Sequence, residues 1–396
     1  MARALLSDID LLSRLVAFDS TSANSNRPIA DFICDYLERP GIRVERLRAA
    51  DPDAVGDKLN LAVFVGPEVE ARQRQGLLLS GHMDVVPATE PQWQSDPFTL
   101  LDDGERLIGR GACDMKGFDA IAINAAAEAA QRPLAHPLVL VLTYDEEVGT
   151  VGAHDFAQTW PVDRPLPRRA IIGEPTSLAV VRMHKGHAKL RATFTGREAH
   201  SGYPHLGTSA VEPAARAITA LGALRDSLEH ESGPNAEHFP EVPFVALNVG
   251  TVNGGSAVNV IPAQCTLEIG IRVLPGMEAG PVLARAKHAI EHATSGGPVP
   301  TTRVAVEVVV LDDSPPLLTP EDVDLYRHLC ALRGQQQTVS ASYATDAGWL
   351  QRCGLDCLIF GPGTIEVAHK PNESMPKGEL REGGAMFRDL VARYCG

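Results

Sequence analysis

Through its first 175 residues the chain alternates short apolar runs with longer amphipathic or alanine-rich stretches. Four of the short runs are predicted to be buried strands: Leu61–Val65, Gly76–Ser80, Leu138–Thr143 and Ala170–Gly173. Between the second and third of them, the alanine-rich stretch Gly117–Ala130 predicts a helix. Buried strands separated by helices are typical of an α/β sheet with helices on its faces. In such sheets, functional side chains gather where strands end and loops begin.

The pattern changes after about residue 180. Lys189–Thr195 alternates apolar and polar residues, as expected for a sheet with one solvent-exposed face. The predicted elements then follow the order β-α-β-β-α-β, which is typical of ferredoxin-like domains. These elements are a strand segment at Val181–Gly196, a helix at Ser209–His230, strands at Phe244–Val252 and Cys265–Val273, a helix at Glu278–Thr294 and a strand at Thr302–Val310.

Three prolines, Pro315, Pro316 and Pro320, mark the return to α/β character, and Leu358–Phe360 is predicted to be another buried strand. We therefore predict two domains, which suits a chain of 396 residues. The larger is discontinuous, formed by residues 1–179 and 313–396, and has a mixed central sheet flanked by helices. A smaller α+β domain, residues 180–312, is inserted into it.

Composition and charge exclude several classes of protein. The formal charge of −14 disfavours nucleic acid and anionic membrane surfaces as partners. Met1–Ser7 lacks the features of a signal peptide and begins an amphipathic helix with Leu5, Ile9, Leu12, Leu15 and Val16 at helical spacing. Seven scattered cysteines predict a reducing cytoplasm. Cys353 and Cys357 have no second cysteine pair, which disfavours a thiolate zinc site.

Five acidic or histidine-containing segments follow, or lie close to, the predicted strand ends. They contain His82 and Asp84, then Asp114, then Asp145-Glu146-Glu147, then Glu174, and finally His369. In a His-x-Asp segment, the carboxylate can orient an imidazole that binds a metal ion through its other nitrogen. Three successive acids after a buried strand repel one another unless a cation compensates them.

Each of these segments also has an ordinary structural explanation. A loop histidine beside an acid is common, Asp114 could cap a helix, residues 145–147 could form a solvated loop, and Glu174 could belong to a turn. The early glycines of Gly109–Gly117 suggest a dinucleotide-binding loop, but Asp114 occupies the third glycine position. Together, the segments form a nitrogen and oxygen ligand set that suits zinc, cobalt or manganese. A carboxylate shared by two metal ions is the standard arrangement of two-metal hydrolysis.

The order of these segments, together with the inserted domain, resembles the di-zinc aminoacylase and carboxypeptidase family. The segments that carry the resemblance are His82-x-Asp84, Gly111–Gly117, Glu146-Glu147, Gly173-Glu174-Pro175 and His369. The resemblance covers nearly the whole chain. It implies an amidohydrolase with a di-zinc catalytic domain, in which cobalt or manganese could replace zinc. It also implies that the inserted domain acts as a lid and dimerisation domain in a homodimer.

The resemblance further implies a role for each site residue. Asp114 would bridge both metal ions, His82 and Glu174 would complete one metal site, and Glu147 and His369 the other. Asp84 would orient His82, and Glu146 would be the general base. A cis peptide is expected between Asp114 and Met115.

In the inserted domain, His200 resembles a residue that polarises the scissile carbonyl, commonly across a dimer interface. Asn259 and Arg272 resemble residues that hold the carboxylate end of the substrate. A loop histidine, a turn asparagine and a strand arginine paired with surface acids remain ordinary alternatives.

Within the family, four segments look most like acetylornithine deacetylases: Gly173–Leu178, His184–His187, Gly361–Gly363 and Ala368–Glu373. The expected reaction is hydrolysis of N-acetyl-L-ornithine to L-ornithine and acetate in arginine biosynthesis. Asp346 and Glu366 are hypotheses for the acid that pairs with the cationic side chain, and Gly363 is a further expected substrate-binding residue.

Other functions remain open. Met83 and Ser374 depart from the pattern expected of acetylornithine deacetylases. The first alternative is a succinyl-diaminopimelate desuccinylase or a broader aminoacylase or peptidase of the same fold. A non-catalytic dimeric binding module is the remaining alternative. The complete ligand set together with Glu146 argues against it.

Overall fold

A computed structural model describes residues 4–49, 57–295 and 304–396. The helices in these residues are α1 (Asp8–Val16), α2 (Arg27–Tyr36), α3 (Lys116–Ala129), α4 (Val151–Thr159), α5 (Val211–Leu228), α6 (Gly280–Ser295), α7 (Asp324–Arg333), α8 (Ala347–Arg352) and α9 (Lys377–Cys395). The strands are β1 (Ile42–Arg48), β2 (Leu59–Val65), β3 (Leu77–His82), β4 (Leu101–Asp102), β5 (Arg106–Ile108), β6 (Leu138–Thr143), β7 (Arg169–Ile172), β8 (Val181–His184), β9 (Gly186–Thr195), β10 (Ala199–His200), β11 (Ala246–Gly254), β12 (Val260–Ile261), β13 (Gln264–Val273), β14 (Ala305–Ser314), β15 (Leu317–Leu318), β16 (Val339–Ala341), β17 (Asp356–Ile359) and β18 (Ser374–Pro376).

The chain divides into two compact units. The first comprises Met1–Arg182, Thr319–Val339 and Thr345–Gly396, and the second comprises Met183–Leu318 and Ser340–Ala344. The short segment 340–344 was expected in the larger domain but belongs to the second unit. Two hydrogen bonds within that unit account for this. The Lys185 amide donates to the Ala341 carbonyl at 3.1 Å, and the Ser340 hydroxyl donates to the His238 carbonyl at 2.5 Å.

The first unit is built on a mixed sheet in the order β1-β2-β6-β3-β7-β17, with the start of β8 beside β17. Neighbours β6, β3, β7 and β17 run parallel, whereas β1, β2 and β8 are antiparallel to their partners. All residues of β3 and β6 are buried, because helices cover both faces of a sheet of this class. Nearly every residue of α3 is buried too, and its Phe118 ring packs edge-on against Phe387 of α9 at 5.1 Å.

Strand register brings three loops to one edge of this sheet. His82 of β3 lies opposite Thr143 of β6, and Ser80 of β3 lies opposite Ile172 of β7. Because these strands are parallel, the loops that follow their carboxyl ends emerge side by side.

The second unit contains β9, α5, β11, β13, α6 and β14 in chain order. Its strands form an antiparallel sheet in the order β11-β13-β9-β14, and this confirms the predicted ferredoxin-like arrangement. The buried residues of β9 and β13 alternate with more exposed ones, as the sequence pattern predicted. The strand predicted at Thr302–Val310 is observed as β14; its first two predicted residues lie outside the described residues.

Several boundaries differ from prediction. The first helix begins only at Asp8, because the Ser7 hydroxyl accepts the Asp10 amide at 3.1 Å and caps the helix there. Its buried residues are Leu11, Leu12, Leu15 and Val16. The predicted position Leu5 precedes the helix, but Leu5 and Ile9 are partly buried and pack against the same core. No helix among the described residues is both long and apolar enough to cross a membrane.

Candidate metal centre

The predicted metal ligands converge at the sheet edge. His82 ends β3, Glu146 and Glu147 follow β6, Glu174 follows β7, and Asp114 precedes α3. Ligand atoms of His82, Asp114 and Glu147 lie within 4.8 Å of one another, and so do those of His82, Glu146 and Glu174.

Asp114 lies between two imidazoles. Its Oδ1 is 3.1 Å from His82 Nε2, and its Oδ2 is 3.3 Å from His369 Nε2. The same His369 nitrogen is 2.9 Å from Glu147 Oε2. The two oxygens of Asp114 therefore face different histidines, as a carboxylate shared by two metal ions requires. The Asp114–Met115 peptide is cis, as expected.

The buried acidic side chains of this cluster favour the binding of cations. Burial of the carboxyl groups and mutual repulsion raise the pKa of Glu146 and of Glu174 well above the ordinary value. Hydrogen bonds to Asp114 and Glu147 raise the pKa of His369 to about 10. Four clustered carboxylates and two imidazoles thus provide a nitrogen and oxygen donor set whose charge two divalent cations would neutralise. The residues present fit a two-metal centre.

Asp84 supports this centre in a way the sequence did not indicate. The ring nitrogen His82 Nδ1 is 3.0 Å from the Asp84 carbonyl oxygen but 3.6 Å from its carboxylate. The buried carboxylate of Asp84 instead accepts the amides of Glu146 at 3.0 Å and Glu147 at 3.3 Å, and the Ser22 hydroxyl at 2.7 Å. Asp84 thus contacts His82 through its backbone and holds the acidic turn through its side chain.

A buried ion pair beneath Asp114 was missed by the sequence analysis. One oxygen of Glu373 accepts the amides of Cys113 at 2.9 Å and Asp114 at 3.0 Å. The other is 2.8 Å from Arg110 Nη1. In the sequence, this pair is marked only by its positions: Arg110 lies shortly before Asp114, and Glu373 lies shortly after His369. Glu373 therefore fixes the backbone that carries Asp114.

We expect Glu373→Gln to weaken zinc binding by about 10- to 100-fold, the usual effect of losing a partner that orients a ligand. The amide oxygen can still accept both backbone hydrogen bonds, but an NH2 group then faces Arg110, which loses its carboxylate partner at this position. The measurement is a zinc titration against a competing chelator. Glu45→Gln, which alters a surface pair with Arg164 at 2.6 Å, is the matched control. An unchanged zinc dissociation constant in a folded Glu373→Gln protein contradicts this role.

Two predicted substrate-binding residues lie in the first unit. Asp346 is only 2% exposed, and one of its carboxylate oxygens accepts the Thr143 hydroxyl at 2.5 Å. Its other oxygen has no hydrogen-bond partner among the described residues. Gly363 has a left-handed backbone (φ 83°), and its amide donates to Glu379 at 2.8 Å. This amide is thus engaged within the protein.

The remaining predicted residues lie in the second unit. His200 is exposed on β10, which pairs with β12, and the Ser201 amide donates to the Asn259 carbonyl at 2.9 Å. His200 and Asn259 are therefore close in space. Arg272 lies on β13 in a different sheet, opposite His187 of β9. The roles assigned to these three residues stay predictions.

Comparison with known proteins extends these observations. The sequence profile of peptidase family M20/M25/M40 matches residues 78–393. The acetylornithine deacetylase of Myxococcus xanthus is 35% identical over 390 residues, covering 97% of each chain. The acetylornithine deacetylase of Proteus mirabilis (strain HI4320) is 34% identical and covers 98% of this chain and 96% of its own.

Solved structures show the same fold. An M20 family metallo-carboxypeptidase from Sulfolobus solfataricus gives a TM-score of 0.78 at 15% identity, covering 98% of this chain and 99% of its own. The YXEP protein of Bacillus subtilis, described as a dinuclear metal binding peptidase, gives 0.64 at 16% identity over 98% and 97% of the two chains. With its converged donor set, the chain thus belongs to peptidase family M20/M25/M40, a family of dinuclear metal enzymes, and is a metal-dependent amidohydrolase.

Proposed function

We propose that this protein hydrolyses N-acetyl-L-ornithine to L-ornithine and acetate. The observation that carries the choice of substrate is full-length similarity, at 33–35% identity, to relatives named acetylornithine deacetylase. The placement of Glu146 supports the chemistry, because its carboxylate lies in one donor cluster with the imidazole of His82 and the carboxylate of Glu174.

In this proposal, bound metal ions supply a polarised carbonyl and a more acidic water molecule. Glu146 takes a proton from the attacking water and delivers it to the amine as the carbon–nitrogen bond breaks. A raised pKa makes a carboxylate a stronger base, which favours its uptake of a proton from water. His200 would polarise the carbonyl, and Asn259 and Arg272 would hold the substrate carboxylate.

Asp346 and Glu366 are the proposed partners of the ornithine ammonium group. Glu366 is exposed, whereas Asp346 is buried and already binds Thr143. A charge-assisted hydrogen bond contributes about 1.5–3 kcal/mol. We therefore expect Glu366→Gln or Asp346→Asn to raise KM for acetylornithine about tenfold or more. If both variants keep the wild-type KM, neither residue binds the ammonium group.

A panel of substrates tests the reaction itself. We expect the zinc-reconstituted protein to hydrolyse acetylornithine with a higher kcat/KM than N-acetylmethionine, succinyl-diaminopimelate or a dipeptide. Preference for succinyl-diaminopimelate would identify a desuccinylase, which must also bind a distal carboxylate. Preference for a dipeptide or a neutral acyl amino acid would identify a broader peptidase or aminoacylase. Zinc binding without any turnover would favour the binding module.

We also propose a cytoplasmic homodimer that uses zinc, with cobalt or manganese as possible replacements, and that acts in arginine biosynthesis. Support for dimerisation comes from the edge strand β14, where the apolar residues Val309, Val310 and Leu311 are each more than 40% exposed. Light scattering at two protein concentrations would measure the oligomeric state.

A further inference from the structure

A lysine is buried just before β2, where the sequence is otherwise mostly apolar. Lys58 is 2% exposed, and its ammonium group donates to the Ser22 carbonyl at 2.7 Å and to Asp145 Oδ1 at 2.6 Å. Burial of a charged amine is costly unless the charge is paired and hydrogen-bonded. Asp145 provides that pairing, and it directly precedes Glu146 and Glu147.

The turn that carries these glutamates has a constrained backbone. Asp145 has φ 51°, in the left-handed region that residues other than glycine adopt infrequently. The Asp145 carbonyl accepts the Val151 amide at 3.1 Å, which closes the turn onto α4. The ion pair with Lys58 holds the side chain of the same residue. Asp145 is therefore fixed at both its backbone and its side chain.

Asn60, in β2 close to Lys58, binds residues on both sides of the turn. The side-chain oxygen Oδ1 of Asn60 accepts the Tyr144 backbone amide at 3.1 Å, and its side-chain nitrogen Nδ2 donates to the Gly152 carbonyl at 2.8 Å. A Cβ atom at Gly152 would lie 2.7 Å from Asn60 Oδ1 and 2.4 Å from the Tyr144 carbonyl oxygen. Only glycine allows this close approach. The start of β2 thus supports the whole segment 144–152.

Ser22 forms hydrogen bonds with both Lys58 and Asp84. Its carbonyl accepts from Lys58, and its hydroxyl donates to Asp84 Oδ2 at 2.7 Å. Asp84 in turn accepts the amides of Glu146 and Glu147. A closed network therefore runs from Lys58 through Asp145 to the glutamates and returns through Asp84 and Ser22.

We infer that Lys58 is a positioning residue that acts through Asp145 to hold the Glu146 carboxylate where it can exchange a proton with substrate and water. The inference rests on the proposed role of Glu146 as the base. Ligand atoms of Glu146, His82 and Glu174 lie within 4.8 Å of one another, so a small movement of the turn would carry the Glu146 carboxylate out of this cluster. The Lys58–Asp145 pair resists that movement, because it anchors the residue next to Glu146.

The test uses Lys58→Met, Asp145→Asn and the double variant in the zinc-loaded full chain. Displacement of a reacting group by about 1 Å costs on the order of 100-fold in rate. We expect each single variant to lose about that factor in kcat, with KM and zinc content within about twofold of wild type. The double variant should lose little more than either single variant, because both remove one interaction. Lys377→Met, which removes a surface pair with Asp102 at 2.7 Å, is the matched control and should keep the wild-type kcat.

The reaction is followed with whichever acyl amino acid the wild type hydrolyses fastest, so a wrong choice of substrate leaves the comparison intact. Wild-type kcat in both single variants overturns the inference, and so do independent, multiplying losses in the double variant. If zinc content and kcat fall equally, or if neither single variant folds, the network has a structural role and the inference is also overturned. A wild type without amidohydrolase turnover refutes the proposed function instead.

Discussion

Replacement of Glu146 by glutamine is expected to lower kcat by about a thousandfold while the protein keeps its metal ions. A positioned general base contributes roughly 10²- to 10⁴-fold to the rate, and an amide of the same shape cannot take up the proton. Glu146 is the group that the proposed reaction uses for both proton transfers. Its backbone amide is held by Asp84 at 3.0 Å, so the substitution should leave the turn in place.

The measurement combines steady-state kinetics with metal analysis of the same sample. Glu147→Gln is the informative comparison, because Glu147 contacts His369 at 2.9 Å and is proposed as a ligand. That variant should lose metal, whereas Glu146→Gln should not. A Glu146→Gln protein with near wild-type kcat would remove Glu146 from the chemistry. A Glu146→Gln protein that loses both metal ions would show that Glu146 is a metal ligand.

Replacement of Asp114 by asparagine is expected to reduce binding at both metal positions. An asparagine retains one oxygen and carries no charge, so it cannot present an anionic oxygen to each of two histidines as Asp114 does. Metal ions contribute several kcal/mol to stabilising the transition state of hydrolysis. We therefore expect kcat/KM to fall by about a thousandfold or more.

Asp119→Asn is the matched control for that variant. Asp119 lies in the first turn of α3, which follows Asp114, and is fully buried; burial raises its pKa to about 8. Because its carboxyl group is then largely protonated at neutral pH, asparagine changes little in charge or shape. Zinc titration should give two tight sites for the control and weakened binding at both for Asp114→Asn. Two intact sites in Asp114→Asn would exclude a bridging role.

Much of the site could be predicted because its signals are local. His82, the turn at Glu146-Glu147 and Glu174 each follow a strand that its apolar residues reveal, and parallel strands bring their carboxyl ends together. The ferredoxin-like order of the second unit follows from alternation along β9 and from the succession of helices and strands.

What could not be predicted depends on contacts between distant parts of the chain. Nothing near Glu373 indicates that it accepts the amide of Asp114, which lies 259 residues away. Lys58 precedes an apolar run, and its partner Asp145 is 87 residues away. His82 Nδ1 lies 3.0 Å from the Asp84 carbonyl oxygen and 3.6 Å from its carboxylate. Residue types alone do not predict so small a difference in distance.

The position of His369 has a consequence for biosynthesis. Four proposed ligands, His82, Asp114, Glu147 and Glu174, precede the second unit in the chain, whereas His369 follows it. Glu373, which fixes the backbone of Asp114, emerges later still. Domains generally fold as units. Because the first unit is built from segments on both sides of the second, we expect its donor set to assemble, and metal ions to bind, only after the second unit, His369 and Glu373 have been synthesised.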